Sequence, residues 1–332
     1  MTRYEAVKNA IAHKKQPVVP YSIYLTGDGT KLYGQKLIDR YASDQIKEDL
    51  AAGKLAFDEA YSLAIGNCVL RVGCPWWGWH SYPEDYTAEE APSALPYTVG
   101  NGSYKASFEH YQYIKEHYDV YVLVTIFGSH FEKAYFARGL ENFMADLAGA
   151  PEFSKALLDM IIRKNMVMLE NFLVSPYVDG VLLGSDWGTQ RGMLMSPKVW
   201  RELIKNGEQQ EYDLIHYMKK DVFVHSCGKI DAIIPDLCEM GLDVLNPVQP
   251  ECMDLDMLQD NFGDKLAYWG GISTQQTLPN GTPEEVREET RRVISIMNRN
   301  NGYITSPSQE IMADVPYENL IALIETAKEH FA

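Results

Sequence analysis

The 332-residue sequence has no apolar run of the ~18 residues that a membrane-spanning helix needs. Its first residues, MTRYEAVKNAIAHKK, alternate charged with apolar side chains and lack the uninterrupted apolar segment of a signal peptide. They read as a first amphipathic helix over residues 1–16. Cysteine is scarce and odd in number: Cys68, Cys74, Cys227, Cys238 and Cys252. Five scattered thiols make no disulfide framework, and the expected location is the reducing cytoplasm. Basic charge is also in deficit, with 30 Lys and Arg against 46 Asp and Glu, a formal net charge of -16. Such a surface repels nucleic acid and anionic membranes, so neither is an expected partner. No Ser/Gly linker, low-complexity tract or short repeat divides the chain, and the expectation is a single domain over 1–332.

Hydrophobic residues make up 46% of the chain, enough for a sizeable core. Short apolar segments alternate with amphipathic ones. Candidate strands are Val18–Tyr24, Ile65–Val72, Val120–Phe127, Gly180–Ser185, Val222–Ser226, Asp243–Val248, Leu266–Gly271 and Gly302–Ser306. Several are apolar on both faces, as the strands of a covered parallel sheet are. Ser196-Pro197 and the capping box of Thr282–Glu285 start helices, and PEFSKALLDMIIRKNMVMLENFL predicts a long one. Eight strand–helix units predict an α/β fold of the (β/α)8 TIM barrel type. A doubly wound open sheet is the alternative, but no glycine-rich phosphate loop follows the first strand.

In a barrel of this type the chemistry sits at the C-terminal strand ends. The first strand ends near Tyr24. The second runs into a long aromatic-rich loop, 73–103, expected over the barrel mouth. There Trp76, Trp77 and Trp79 form either a wall over a ligand or a small satellite core. The third strand ends at Ser129 and His130, and His130 reads as a helix-start residue. The fourth offers Asp186, Gln190 and Arg191, as ligand contacts or as an Asp186–Arg191 ion pair. The fifth ends in DVFVHSCGKI, where side chains at i and i+2 share a face. His225 and Cys227 then point the same way, either as nitrogen and sulfur donors to zinc or as a buried imidazole beside a buried thiol. Asn246, Gln249 and Glu251 follow the sixth strand. The double glycine of YWGGIST marks a tight turn or a close backbone approach. The eighth strand leads to Gln309, a substrate contact, and Glu310, an oxygen donor for metal.

The segments HSCGKIDAIIPDLCEMGLDVLNPVQP, YWGGISTQQTLPNGTPEEVREE, GYITSPSQEIMADVPYENLIALIE and SDWGTQRGMLMSPKVWRELI resemble the uroporphyrinogen decarboxylase superfamily of (β/α)8 barrels, strongly from Val181 onward. The resemblance implies one of two chemistries. One is metal-free decarboxylation of a tetrapyrrole's acetate arms. The other is methyl transfer to or from the cobalt of a corrinoid protein, with zinc held by a His-x-Cys pair and a later cysteine. The arginine-rich signature that decarboxylases carry after the first strand is missing from VVPYSIYLTGDGTKLYG, and Asn67 falls near their strand-two aspartate. His225 and Cys227 match the methyltransferase pair, while the later cysteine falls near Gln309.

The reading favoured is a zinc-dependent methyltransferase. Its methyl group moves between the cobalt of a partner corrinoid protein and a small methylated substrate or a thiol. The tryptophan-rich loop suits a methoxylated aromatic and hence O-demethylation. Asp186, His225 and Cys227 are the expected catalytic residues, with His225, Cys227 and Glu310 as metal ligands. Tyr24, Trp76, Trp77, Trp79, Gln190, Arg191, Asn246, Gln249 and Gln309 are the expected substrate contacts. The alternatives are a metal-free decarboxylase and a non-catalytic barrel that binds a tetrapyrrole or small ligand.

Overall fold

The computed structural model describes residues 1–77, 82–83, 85–88, 92 and 103–331. Helices and short strands alternate through them. The strands are β1 (Val69–Val72), β2 (Tyr121–Ile126), β3 (Gly180–Gly184), β4 (Gly188–Thr189), β5 (Gly192–Met193), β6 (Asp221–His225), β7 (Val244–Asn246), β8 (Ala267–Ile272) and β9 (Tyr303–Pro307). Seven of them form a sheet in the order β1-β2-β3-β6-β7-β8-β9, while β4 and β5 make a separate antiparallel hairpin. The large sheet thus follows chain order, the succession of a (β/α)8 barrel. Every residue of β3, β8 and β9 is buried, which accounts for the absence of charged residues from them.

The chain divides into two compact units. One comprises Met1–Val72, Tyr113–Leu123 and Asp243–Ala332. In it β7, β8 and β9 pair in parallel. The expected first strand, Val18–Tyr24, is not a regular strand. Among the described residues one isolated bridge, Tyr21–Thr305, joins it to β9, and a second, Leu25–Ile311, follows just past both segments. On its other side the Cys68 N–H donates to the Tyr21 carbonyl at 2.8 Å. The segment therefore fills the eighth strand position between β9 and β1. Two features break its ladder. Pro20 has no N–H to give. Both backbone groups of Ile23 are taken by the Asn67 side chain, at 2.8 and 2.9 Å.

The other unit comprises Gly73–Gln112 and Val124–Leu242. Here β3 and β6 pair in parallel, from Gly180 opposite Asp221 to Gly184 opposite His225. The long helix spans Pro151–Leu173, as its apolar spacing predicts, with proline at its start. Ser196 caps the helix Pro197–Leu203 through the Val199 N–H, and Thr282 with Glu285 closes a capping box on Pro283–Met297 in the first unit. The expected N-terminal helix is shorter than 1–16, covering Arg3–Ile11. Among the described residues no helix is long and apolar enough to cross a membrane.

Candidate metal centre

Asp186, His225 and Cys227 converge at the C-terminal ends of β3 and β6. Local pairing explains how. Gly184 faces His225 across the parallel ladder, and the Ser185 N–H donates to the His225 carbonyl at 2.9 Å. Two residues further on each strand, Asp186 and Cys227 repeat the same side of the pleat. The Cys227 N–H donates to Asp186 Oδ1 at 2.8 Å. Ser226 turns the other way, fully buried, and its Oγ accepts from the Trp187 N–H at 3.1 Å.

The chain leaves the site through Gly228, at φ 80°. A Cβ there would lie 2.6 Å from the Gly188 carbonyl carbon and the Thr189 nitrogen. Only glycine lets the β4–β5 hairpin cross so near to the cysteine. The hairpin carries Gln190 and Arg191 out to solvent. Asp186 forms no ion pair with Arg191 among the described residues; its Oδ1 lies 3.8 Å from the His225 imidazole instead.

The distances favour a shared cation. Cys227 Sγ is 3.4 Å and Asp186 Oδ1 is 3.8 Å from the same imidazole nitrogen, His225 Nε2. One nitrogen, one sulfur and one oxygen donor lie within 4.8 Å of one another, and among the described residues this is the one such group of three. A Cys–His–Asp proton relay places thiol and carboxylate on opposite ring nitrogens. Here both face Nε2, as ligands around a common centre do. The donor set fits zinc, which takes imidazole, thiolate and carboxylate together. The side chains of His225 and Asp186 are 13% and 37% exposed, so ligand and solvent can reach the group.

The surroundings are anionic. Glu132 is buried beside the β3 end, where Oε2 accepts from the Gly128 N–H at 3.0 Å and Oε1 from the Tyr135 hydroxyl at 3.0 Å. Burial, and then the charge of Asp186, raises its carboxyl above the usual range. Neither Asp186 nor Glu132 has a lysine or arginine salt-bridge partner among the described residues. A bound cation would offset that excess of negative charge. The Phe127 ring, 56% exposed, stands edge-on to His225 with centroids 5.8 Å apart. Sequence reasoning missed Phe127, Glu132 and Tyr135. Their signal was the stretch IFGSHFEKAY, which places all three at a strand end and the helix start that follows.

The other expected site residues have these positions. In the first unit Tyr24 is buried, with its hydroxyl donating to the Val69 carbonyl at 2.5 Å and its ring 3.7 Å from the Arg71 guanidinium carbon. Arg71 binds Glu310 at 2.5 Å. That carboxylate is held in an ion pair, and it is Asp186 that supplies the oxygen of the three-donor group. Gln309 accepts the Glu310 N–H at 3.0 Å. Asn246 donates to the Trp269 carbonyl at 3.0 Å, and Gln249 is buried beyond it. The double glycine approaches the chain's own backbone: the Gly271 N–H donates to the Val248 carbonyl at 2.9 Å.

In the second unit Trp77 is buried and donates its indole N–H to Asn165 at 2.7 Å. Lys133 and Lys164 lie over its ring, at 4.4 and 5.6 Å. Trp76 packs edge-on against Phe172. Both take part in the packing of the helical layer. Trp79 lies outside the described residues. His130 stands at the N-cap position of the helix Phe131–Arg138 without a side-chain capping bond, a helix-start residue as expected.

The uroporphyrinogen decarboxylase (URO-D) family model matches residues 90–330. The chain belongs to this family. The curated relatives that the chain resembles carry methyltransferase names. The methylcobamide:CoM methyltransferase MtaA of Methanosarcina barkeri is 26% identical over 140 residues, covering 42% of this chain and 39% of the relative. The methylated-thiol–coenzyme M methyltransferase of Methanosarcina mazei is 22% identical over 222 residues, covering 65% of this chain and 56% of the relative. The matched stretches thus span less than two thirds of either relative. A solved methyltransferase from Methanosarcina mazei matches with a TM-score of 0.72 at 17% identity, over 100% of both chains. The fold is the α/β barrel of this family.

Proposed function

We propose that this family member is a zinc-dependent methyltransferase working with a corrinoid protein, moving a methyl group between cobalt and a small substrate. The observation that carries the reading is the convergence of His225 Nε2, Cys227 Sγ and Asp186 Oδ1 on one point at the ends of adjacent strands. The names of the curated relatives support it, as both are methyltransferases for coenzyme M. His225, Cys227 and Asp186 would hold the zinc. When bound, zinc supplies a Lewis acid that stabilises negative charge on a sulfur or oxygen atom of the substrate.

The protein's own residues do the rest. Asp186 orients the Cys227 backbone through its N–H, so the thiol is set by the same carboxylate that offers an oxygen donor. Phe127 restrains the imidazole ring edge-on and gives an apolar flank to the approaching methyl carbon. The partial exposure of the donor group leaves room for substrate and for a corrinoid face. The small substrate is either a methoxylated aromatic that gives up its methyl group or a thiol that accepts one from cobalt, and the cell compartment suited to cysteines outside any disulfide is the cytoplasm.

The decarboxylase alternative has less to stand on. Asn67, near the decarboxylases' aspartate, spends both ends of its amide on the Ile23 backbone. Val18–Gly34 holds no arginine to receive carboxylates. The test is metal analysis of the purified protein. One zinc per chain, lost in His225→Ala and in Cys227→Ser together with methyl transfer from methylcobalamin to a thiol or from a methoxylated aromatic to cobalamin, supports the reading. Metal-free protein whose activity is unchanged in both variants removes it.

A further inference from the structure

Beneath the donor group lies a buried cluster that the metal centre itself does not use. Ser129, Ser185 and Glu208 are fully buried, and His130 is 1% exposed. They come from the end of β2, the end of β3 and the helix Lys205–Tyr217. The Ser129 N–H and Oγ both donate to the Gly184 carbonyl, at 3.2 and 2.9 Å. Ser129 Oγ is 3.4 Å from Ser185 Oγ. Ser185 Oγ donates to Glu208 Oε1 at 3.3 Å, and His130 Nδ1 lies 3.1 Å from the same oxygen. Asn165, on the long helix, donates to the Ser129 carbonyl at 2.6 Å.

Ser185 is the hinge of this arrangement. It is the residue between Gly184, which faces His225 in the ladder, and Asp186, which offers the oxygen donor. Its backbone N–H is tied to the His225 carbonyl. Its side chain is tied to Glu208. Rotation of Ser185 would swing Asp186 relative to both His225 and Cys227. The site for Glu208 is also closely built. The neighbouring residue is Gly207, where a Cβ would fall 2.4 Å from His130 Cε1.

We propose that Glu208 is a positioning residue for the metal centre, fixing Asp186 against His225 and Cys227 through Ser185. The inference rests on the reading of that group as a metal centre. A carboxyl suits the task because one oxygen can accept from Ser185 and His130 at once, which no apolar residue of the same shape can do. Burial supports a neutral form: it pushes the Glu208 carboxyl up to about 8 and the His130 imidazole down to about 4. A neutral carboxyl avoids the cost of a buried charge near Asp186. Glutamine preserves the acceptor and the absence of charge. Leucine preserves only the bulk.

The experiment uses the full chain, purified metal-free, with Zn2+ and Co2+ as probes. Zinc affinity is read by chelator competition, and the ligand field by the visible spectrum of the cobalt form. Glu208→Gln is expected to keep both. Glu208→Leu and Ser185→Ala are expected to lose about ten-fold in zinc affinity, the lower end of what removing an outer-shell partner costs, and to shift the cobalt bands. Glu211→Leu is the control. Glu211 is equally buried and one turn along the same helix, but it bonds Asn165 and not Ser185. Its loss is expected to lower thermal stability while the cobalt spectrum stays as in wild type.

If Glu208→Leu does not fold, Ser185→Ala carries the test, since it removes one hydroxyl and keeps the ladder N–H. Wild-type protein that binds zinc, with Ser185→Ala and any folded Glu208→Leu unchanged in affinity and spectrum, overturns the proposal alone. So does a Glu211→Leu spectrum shifted as much as that of Ser185→Ala. Wild-type protein that binds neither ion overturns the metal-centre reading and the proposal with it.

Discussion

Two carboxylate–imidazole pairs stand in the same unit of this protein, and they differ in nearly everything that matters for chemistry. His130 and Glu208 are 3.1 Å apart in the interior, with side chains 1% and 0% exposed. His225 and Asp186 are 3.8 Å apart, with side chains 13% and 37% exposed. A serine hydroxyl donates to the carboxyl of the buried pair, and a thiol lies against the imidazole of the outer one. Desolvation makes neutrality the stable state of the first, since an unpaired ion there is costly. The second keeps solvent access, a soft donor and an uncompensated carboxylate. The residue types are nearly the same. Burial sets the first pair in the packed interior, while the second stays partly exposed beside a thiol, as the proposed ligand set requires.

Breaking the outer set should give the largest effect. Cys227→Ser is expected to lower zinc affinity by more than about a hundred-fold, since one of three donors is gone. Chelator competition measures it, and the unfolding midpoint of the metal-free protein should hardly move. Asp186→Asn comes next, with a loss of about ten- to a hundred-fold. The amide oxygen still accepts the Cys227 N–H, so only the charge and the donor strength change. Equal zinc affinity in Asp186→Asn and wild type would mean that the carboxylate belongs to the packing and not to the ligand set.

Gly228→Ala strains the crossing that brings the hairpin over Cys227. It should cost about 1–3 kcal/mol from the left-handed backbone alone, and more from the contact with Gly188 and Thr189. Denaturant unfolding of the metal-free protein measures this directly.

A pH titration sharpens the contrast from the buried side. Glu208 and Glu211 are both pushed up from 4.5 to about 8 by burial. The native state therefore binds more protons than the unfolded chain between those values, and stability falls as pH rises through that window. His130 acts in the opposite sense. Burial lowers it from 6.5 to about 4, so its contribution rises with pH over that range and then levels off. Above the ordinary histidine range and up to about 8 only the carboxyl effect remains. Each group contributes a slope of about 1.4 kcal/mol per pH unit there. Thermal melts should show Glu208→Gln and Glu211→Gln each removing its own share of the slope. The smallest effect belongs to Phe127→Ala. The ring is half exposed, so its loss should change stability by no more than about 0.5 kcal/mol. A change confined to the Michaelis constant for an aromatic substrate would place the ring against the ligand.

The alternation of apolar segments marked all eight strand positions, and capping residues marked several helix starts, because both signals act over a few neighbouring residues. The pairing of His225 with Cys227 was legible for the same reason: the pleat of a strand repeats every second residue. Asp186 was legible only as an expected catalytic residue, while Glu310 was the expected oxygen donor. Asp186 lies 39 residues before His225 in the chain, and only the parallel register of β3 on β6 places its oxygen beside the thiol. Glu310 has the same side-chain chemistry, yet Arg71 neutralises it, a contact across 239 residues. Trp77 reads equally as lid or core in sequence, and the choice was made by the Asn165 amide and two lysines on other helices. Local periodicity by itself located the eight strand positions and which near neighbours share a face, though Val18–Tyr24 forms no regular strand and Ile65 ends a helix. Long-range packing alone decided which polar groups meet, Glu310 with Arg71 and Asp186 with His225 and Cys227. A side chain's charge and donor capacity are local properties, but its partners and its desolvation are set by whatever the fold brings alongside.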